Sequence, residues 1–300
     1  MNKKINAPLG ASLIVLSSFF YASYGIWTKL MGDFFGGYTA SAYRSVLVLF
    51  ILIPISYFLN KFEPLRLRKN AMYLLGMIFF SFFIWGPLYY AILNAGVGLA
   101  LTVAYANIVI GMFFFGWFMA GEKLTRDKIL SAVLGLIGLG LIFIPTGNSS
   151  VGVLALFAAA VSGLSTAANT VITKKIPYNP AQTTIALWVT SVIANFIMVI
   201  VVSENIPTIS FSAEYFYLLL FAIASVISTW SLVKGVKIIE AGAAGILGLL
   251  EIVFGILFGV LLFNEEPGLA ALIGAGVIIL AAAISYLKDY NSKKGTLESS

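Results

Sequence analysis

Sixteen of the eighteen Lys and Arg residues fall on one side of a ladder of ten apolar blocks. The blocks run 9–31, 37–59, 71–93, 97–118, 126–145, 151–174, 181–203, 214–237, 241–262 and 267–287. Basic residues occupy the N-terminal segment and every second connection: Lys3, Lys4; Lys61, Arg66, Arg68, Lys69; Lys123, Arg126, Lys128; Lys174, Lys175; Lys234, Lys237; and Lys288, Lys293, Lys294. The other five connections carry neither Lys nor Arg. Basic loop segments resist translocation, so this side is expected to face the cytoplasm, with both termini inside. Each block is about 20 residues, enough at about 1.5 Å per residue to cross a hydrocarbon core of about 30 Å. The expected fold is therefore an all-α integral membrane protein of ten transmembrane helices.

Composition excludes several alternatives. The chain is 60% hydrophobic and only 10% charged, where a soluble domain carries about a quarter charged residues. Amphipathic helices around a soluble core would each need a polar stripe, and residues 151–172 and 241–262 have none. The net charge of +6 then reflects orientation in a membrane, and no nucleic-acid partner is expected. Cysteine and histidine are absent, which removes disulfides, thiolate nucleophiles, imidazole ligands and Ser-His-Asp chemistry. No cofactor, metal or enzymatic activity is expected. The glycines at Gly135, Gly138 and Gly140 follow no strand and lack a closing Lys-Ser/Thr, so they read as helix-packing positions and not a phosphate loop. The first block follows Lys3 and Lys4, but it runs past 20 residues and keeps Trp27 and Lys29 at its far end. It reads as an anchored helix, not a cleaved leader. The segment from Asp289 to Ser300 reads as a polar, disordered tail.

The chain repeats itself. The segment GLALTVAYANIVIGMFFF from Gly98 lies over GAAGILGLLEIVFGILFG from Gly242. In that register Asn107 matches Glu251 and Gly111 matches Gly255, and each copy runs into an acidic turn, Gly121-Glu122 or Asn264-Glu265. Trp27-Thr28-Lys29 echoes Ile172-Thr173-Lys174. Five spans per half is an odd number, so the second half enters the membrane from the opposite side. Expected boundaries are a cytoplasmic N-terminus over 1–8, a first five-helix repeat over 9–147, a second over 148–287 and a cytoplasmic tail over 288–300. Inverted repeats meeting at the midplane are the organisation of secondary transporters.

The start FFYASYGIWTKL, the early second-helix arginine in AYRSVLVLFILIP and the two helix-to-turn segments ending in Glu122 and in Asn264-Glu265-Glu266-Pro267 resemble the drug/metabolite transporter superfamily, EamA type. Leu250-Glu251-Ile252 resembles that family's Leu-Glu-Pro in the ninth helix, with Ile252 in place of the proline. The resemblance covers residues 9–287. It implies a 5+5 bundle that moves small metabolites.

Glu251 is the outstanding candidate. It sits at the centre of its span, where an acidic residue costs about 2.5–3.5 kcal/mol and so needs a reason to be there. Gly245, Gly248, Gly255 and Gly259 border it, a stripe expected to pack closely on other helices and turn the carboxylate inward. There it can carry a proton, pair with a substrate ammonium, or make a structural hydrogen bond. Arg44, about 10 Å below the outer surface at about 1.5 Å per residue, can counter Glu251, hold a substrate carboxylate bidentately, or bond helix-end carbonyls. Asn107 and Asn169 can read substrate or join helices. Tyr105 and Trp85, away from helix ends, are cavity-wall candidates, and ring faces around an acid suit a cationic or aromatic substrate. Lys29 reads as a snorkelling residue.

These features point to a secondary transporter, expected to export an amino acid, an amine or a similar small metabolite through alternating access, with protons coupled through Glu251. An uncoupled facilitator, a channel and a membrane-embedded enzyme are the alternatives. Expected partners are a small-molecule substrate and the lipid bilayer. The assembly is a monomer, or a homodimer joined through Gly255 and Gly259. Short loops point to the plasma membrane of a prokaryote.

Overall fold

The computed structural model describes residues 7–62, 68–143, 152–208 and 211–298, with side chains up to Leu287. Lys3, Lys4, Arg66 and the side chains of Lys288, Lys293 and Lys294 lie outside the described residues. The described chain is helical. The first half holds α1 (Ala7–Ala22), α2 (Tyr24–Met31), α3 (Gly37–Phe58), α4 (Ala71–Ala95), α5 (Val97–Ala120) and α6 (Arg126–Ile142). The second holds α7 (Val153–Lys175), α8 (Pro180–Val202), α9 (Ala213–Val236), α10 (Ala241–Gly248), α11 (Leu250–Phe263) and α12 (Leu269–Glu298). Twelve helices make ten spans, because α1–α2 and α10–α11 are each one crossing with a break in it.

Nine of these crossings are long and apolar enough to span a membrane, and the tenth, α6, is one short helix of 17 residues. At about 1.5 Å per residue α6 covers roughly 26 Å, a little under the hydrocarbon thickness. The last helix runs on to Glu298, through the segment expected to be disordered. No proline interrupts it, and extending an existing helix needs only one new hydrogen bond per residue.

The connections separate into two ends. At one end the Asn179 amide donates to the Lys61 carbonyl, Lys237 Nζ donates to the Ile176 carbonyl at 2.9 Å, and Lys128 pairs with Glu240. At the other, Lys29 pairs with Glu265 at 3.0 Å, and the Glu204 carboxylate accepts from the backbone amides of Tyr38 and Thr39 at the start of α3. The first is the basic end expected from the charge ladder, and Lys128 and Glu265 sit at opposite ends.

Packing follows the repeat. The most extensive helix pairs join one half to the other, and each has its mirror. α5 and α4 both pack on α7, as α10–α11 and α9 both pack on α1. α3 packs on α9 as α8 packs on α4, while α3 with α8 and α6 with α12 are pairs between equivalent spans. The α6–α12 crossing is tightest at Gly138 and Gly274, where a Cβ on either would strike the carbonyl of the other. Small residues let membrane helices approach this closely and gain dispersion contacts that lipid cannot match.

The glycine stripe beside Glu251 behaves differently from its expectation. Gly245 packs against Met112, but Gly248 and Gly255 have open space where a Cβ would sit, and Gly259 is closed only by Glu265 of its own turn. The four residues follow one helical face, but the break in the span divides that face into a packed part and an open part.

Candidate functional site

The break in the ninth crossing sits immediately before Glu251. Leu249 N–H donates to Ile246 at 3.1 Å and Ile252 N–H donates to Leu249 at 3.0 Å, both i to i+3 bonds in place of the α-helical i to i+4 pattern. The Ser18 hydroxyl of α1 lies 3.3 Å from the Leu247 carbonyl, the group that an unbroken helix would bond to the Glu251 amide. The same hydroxyl donates to the Ile14 carbonyl of its own helix at 3.0 Å, so Leu247 is its second, longer partner. The break in the first crossing is of the same kind. The Ser23 hydroxyl donates to the Phe20 carbonyl at 2.6 Å, and Ile26 N–H donates to Ser23 at 3.0 Å. The two broken crossings pack against each other.

Glu251 lies in the first turn of α11, just past this short 3-10 step, at which Leu249 keeps right-handed helical backbone angles. It is half-buried, and its Oε1 accepts a 2.7 Å hydrogen bond from the Tyr105 hydroxyl of α5. Among the described residues no Lys or Arg forms an ion pair with it. The sequence candidates Glu251 and Tyr105 thus come together.

Arg44 and Trp85 form a second group. The Arg44 side chain is buried at 3% exposure, ringed by aromatic faces from four helices. The guanidinium carbon lies 4.3 Å from the Phe221 ring centroid, 5.1 Å from Tyr24, 5.5 Å from Trp85 and 5.7 Å from Trp188. Such contacts hold a cation by the ring quadrupole, about 0.5–2 kcal/mol each. Tyr24 stacks edge-on to Phe221 at 4.6 Å and shares a 2.9 Å hydrogen bond with the Ser228 hydroxyl of α9. Tyr21 lies against Tyr24 at 4.9 Å and shares a 3.4 Å hydrogen bond with Thr229. Tyr21 and Tyr24 stand on either side of the α1–α2 break, with Tyr24 against Arg44.

Asn107 and Asn169 stand apart from this arrangement. The Asn107 amide donates to the Val103 carbonyl of its own helix, and its Cβ lies against the position of Gly163 on α7. Asn169 donates to the Ser81 hydroxyl at 3.1 Å, joining α7 to α4. Both make helix-to-helix contacts. Lys29, at the rim, lies 3.9 Å above the Phe263 ring in addition to its pair with Glu265. Tyr21, Tyr24, Trp188 and Phe221 were not singled out by sequence. Ser228 and Thr229 of α9 hold the two tyrosines, but no local sequence pattern places these rings around Arg44.

Two five-crossing repeats of opposite orientation are an organisation found in membrane transporters. The chain belongs to the EamA-like transporter family, whose pattern it matches twice, over residues 8–144 and 153–287. It is a multi-pass membrane protein of the drug/metabolite transporter type. A solved structure described as "Crystal structure of protein" superposes with a TM-score of 0.75 at 18% identity, covering 93% of this chain and 98% of that one. That likeness shows the shared fold. No curated protein sequence matches this one.

Proposed function

We propose that the protein is a secondary transporter that exports a small organic metabolite by alternating access, with Glu251 exchanging a proton against substrate. The observation that carries this reading is the unequal state of two equivalent turns at opposite ends. At the basic end, the Glu122 carboxylate accepts from the Ala241 amide at 2.8 and 2.9 Å and from Lys174 at 2.7 Å. At the other end Glu265 pairs with Lys29, and among the described residues it makes no hydrogen bond to the start of α5, the helix equivalent to α10.

The groups that move are set by packing more than by sequence order. α4 and α5 travel with α7, and α9, α10 and α11 travel with α1. Glu122 and Lys174 belong to the first group and Ala241 to the second, so their contact fastens the groups together at the basic end. Lys29 and Glu265 both belong to the second group and fasten nothing across the seam. With the basic end cytoplasmic by the positive-inside rule, this is an outward-facing arrangement, both termini lie inside, and the carrier sits in a plasma membrane. The inward-facing form has the mirror contacts: Glu265 caps α5 near Val97 and Glu122 releases Ala241. The units 9–147 and 148–287 each contribute helices to both moving groups. One chain supplies the whole site, so a monomer suffices. No enzymatic step is assigned to it.

The proton role is supported by a half-buried midplane carboxylate bonded to one hydroxyl. Tyr105 bonds to it from α5 at 2.7 Å. In proteoliposomes loaded with the metabolite and placed in a pH gradient, Glu251→Gln is expected to abolish gradient-driven flux while elution profile and melting temperature stay as in the parent. Gradient-driven flux surviving at the parent rate removes the proton role. Ohmic current in place of saturable flux removes the carrier.

A further inference from the structure

We propose that Arg44 and its aromatic ring are a carboxylate-binding pole, so that the transported molecule carries a single carboxylate and is not a simple amine or a phosphate. The inference deepens the transporter reading and rests on it. It starts from an imbalance of charge. A guanidinium at 3% exposure inside a membrane span needs a counter-charge or hydrogen-bond acceptors, because desolvating a cation is among the largest penalties a fold can carry. Among the described residues Arg44 has neither. It forms no ion pair and no hydrogen bond, and its contacts are the four ring faces.

Those rings satisfy only part of what a guanidinium asks for. An aromatic face attracts the cation but accepts none of its five N–H groups in a proper in-plane hydrogen bond. The Arg44 Nε is sealed from water and unbonded, and beside it the Trp188 indole N–H is also buried without an acceptor. The two Nη groups are not among the sealed atoms, so the little accessible surface that Arg44 keeps includes its forked edge. The aromatic cage therefore holds several unmatched donors. A planar carboxylate presents two oxygens at the spacing of that fork.

Charge balance selects among anions. Tyr24 and Tyr21 are the titratable groups facing Arg44, and neither brings a second positive charge. A phosphate dianion against one arginine, with Glu251 in the same region, would leave net negative charge away from water. One carboxylate on Arg44 balances, and a zwitterion also places an ammonium for Glu251. The rings of Tyr24, Trp85 and Phe221 then enclose the apolar part of the molecule.

The test uses the full chain purified in detergent and three matched mixtures: the free proteinogenic amino acids, their methyl esters, and the corresponding decarboxylated amines, with inorganic phosphate as a fourth probe. A ligand that binds the folded form raises its melting temperature by mass action. The free acids are expected to raise the melting temperature by several degrees, and the esters, amines and phosphate to leave it unchanged. Arg44→Gln is expected to lose the shift at least tenfold in concentration dependence, and Arg44→Lys to restore little of it, since an ammonium keeps the charge and loses the fork. The comparison of mixtures on the parent protein decides the matter even where an Arg44 variant folds poorly. A shift from amines or esters equal to that from acids, or no shift from any acid, overturns the carboxylate pole. Pumping of an amine along a pH gradient, still dependent on Glu251, would leave the transporter reading standing while this one falls.

Discussion

The turns after α5 and after α11 are built alike and used differently. Gly121 and Asn264 both take the left-handed conformation, with φ of 68° and 52°, and close their helices with the same long backbone bond, Glu122 N–H to Gly116 and Glu265 N–H to Gly259, each 3.0 Å. Glycine adopts that conformation freely, and asparagine is among the few other residues that tolerate it. Each turn thus aims a glutamate back along its helix toward a lysine from the first crossing of a half. Beyond that point they part. The Glu122–Lys174 pair is 12% and 19% exposed and holds a helix start; the Lys29–Glu265 pair is 53% and 58% exposed and holds nothing else. Equivalent sequence in the two halves therefore gives equivalent local geometry, while the conformational state decides what each carboxylate reaches.

Breaking the shielded turn should have the largest effect. Glu122→Gln leaves Lys174 without its counter-charge and weakens the grip on the Ala241 amide, a loss of about 2–4 kcal/mol. The expected outcome is a marked fall in melting temperature and a shift toward the opposite state. That shift is readable by attaching membrane-impermeant maleimide to single cysteines placed near Val97 and Ala241, on a chain that has no cysteine of its own. Equal labelling in parent and variant would mean that Glu122 does not fasten the basic end. Glu265→Gln removes only an exposed pair, about 0–1 kcal/mol, and should leave the melting temperature nearly unmoved while slowing substrate release or return in flux assays. Should the Glu265 variant prove as unstable as the Glu122 variant, the difference between the ends would vanish.

The smallest effect concerns Lys237, at the end of α9. Burial pushes its ammonium down to about 8. The folded protein gives up this proton near that value and the unfolded chain near about 10.4, so between the two the unfolded state binds more protons and stability rises with pH. Lys237→Met should flatten that rise, by about 1 °C between pH 8 and pH 10 in paired melting curves. A variant that tracks the parent across the window would show that Lys237 is freely hydrated when folded.

The charge ladder and block lengths made the ten crossings, the two ends and the repeat legible before any coordinates. Glu251 was legible for a single reason, since no other acid lies so deep. The breaks at Ser23 and Leu249 were hidden, because no proline marks them. The Arg44 cage was half legible. Arg44 stood out as a deep charge and Trp85 as a ring away from the interface, but Tyr24, Trp188 and Phe221 join them from three further helices by tertiary packing alone. Asn107 was singled out by its alignment with Glu251, and the fold sets it against Gly163 while its counterpart Glu251 accepts from the Tyr105 hydroxyl. The tail of α12 shows a further limit, since polar composition measures solvation, and a solvated segment can still extend a helix.

The wet pair between Lys29 and Glu265 has a consequence for the medium at that end. Exposed charges lose most of their attraction within about one Debye length, about 8 Å at physiological ionic strength and less in brine, whereas shielded pairs hardly notice. Salt added to that compartment alone should weaken the Lys29–Glu265 pair and spare the Glu122–Lys174 pair. Under the alternating-access cycle proposed above, the ease with which Glu265 leaves Lys29 for the start of α5 would then follow the salinity of the water at that end.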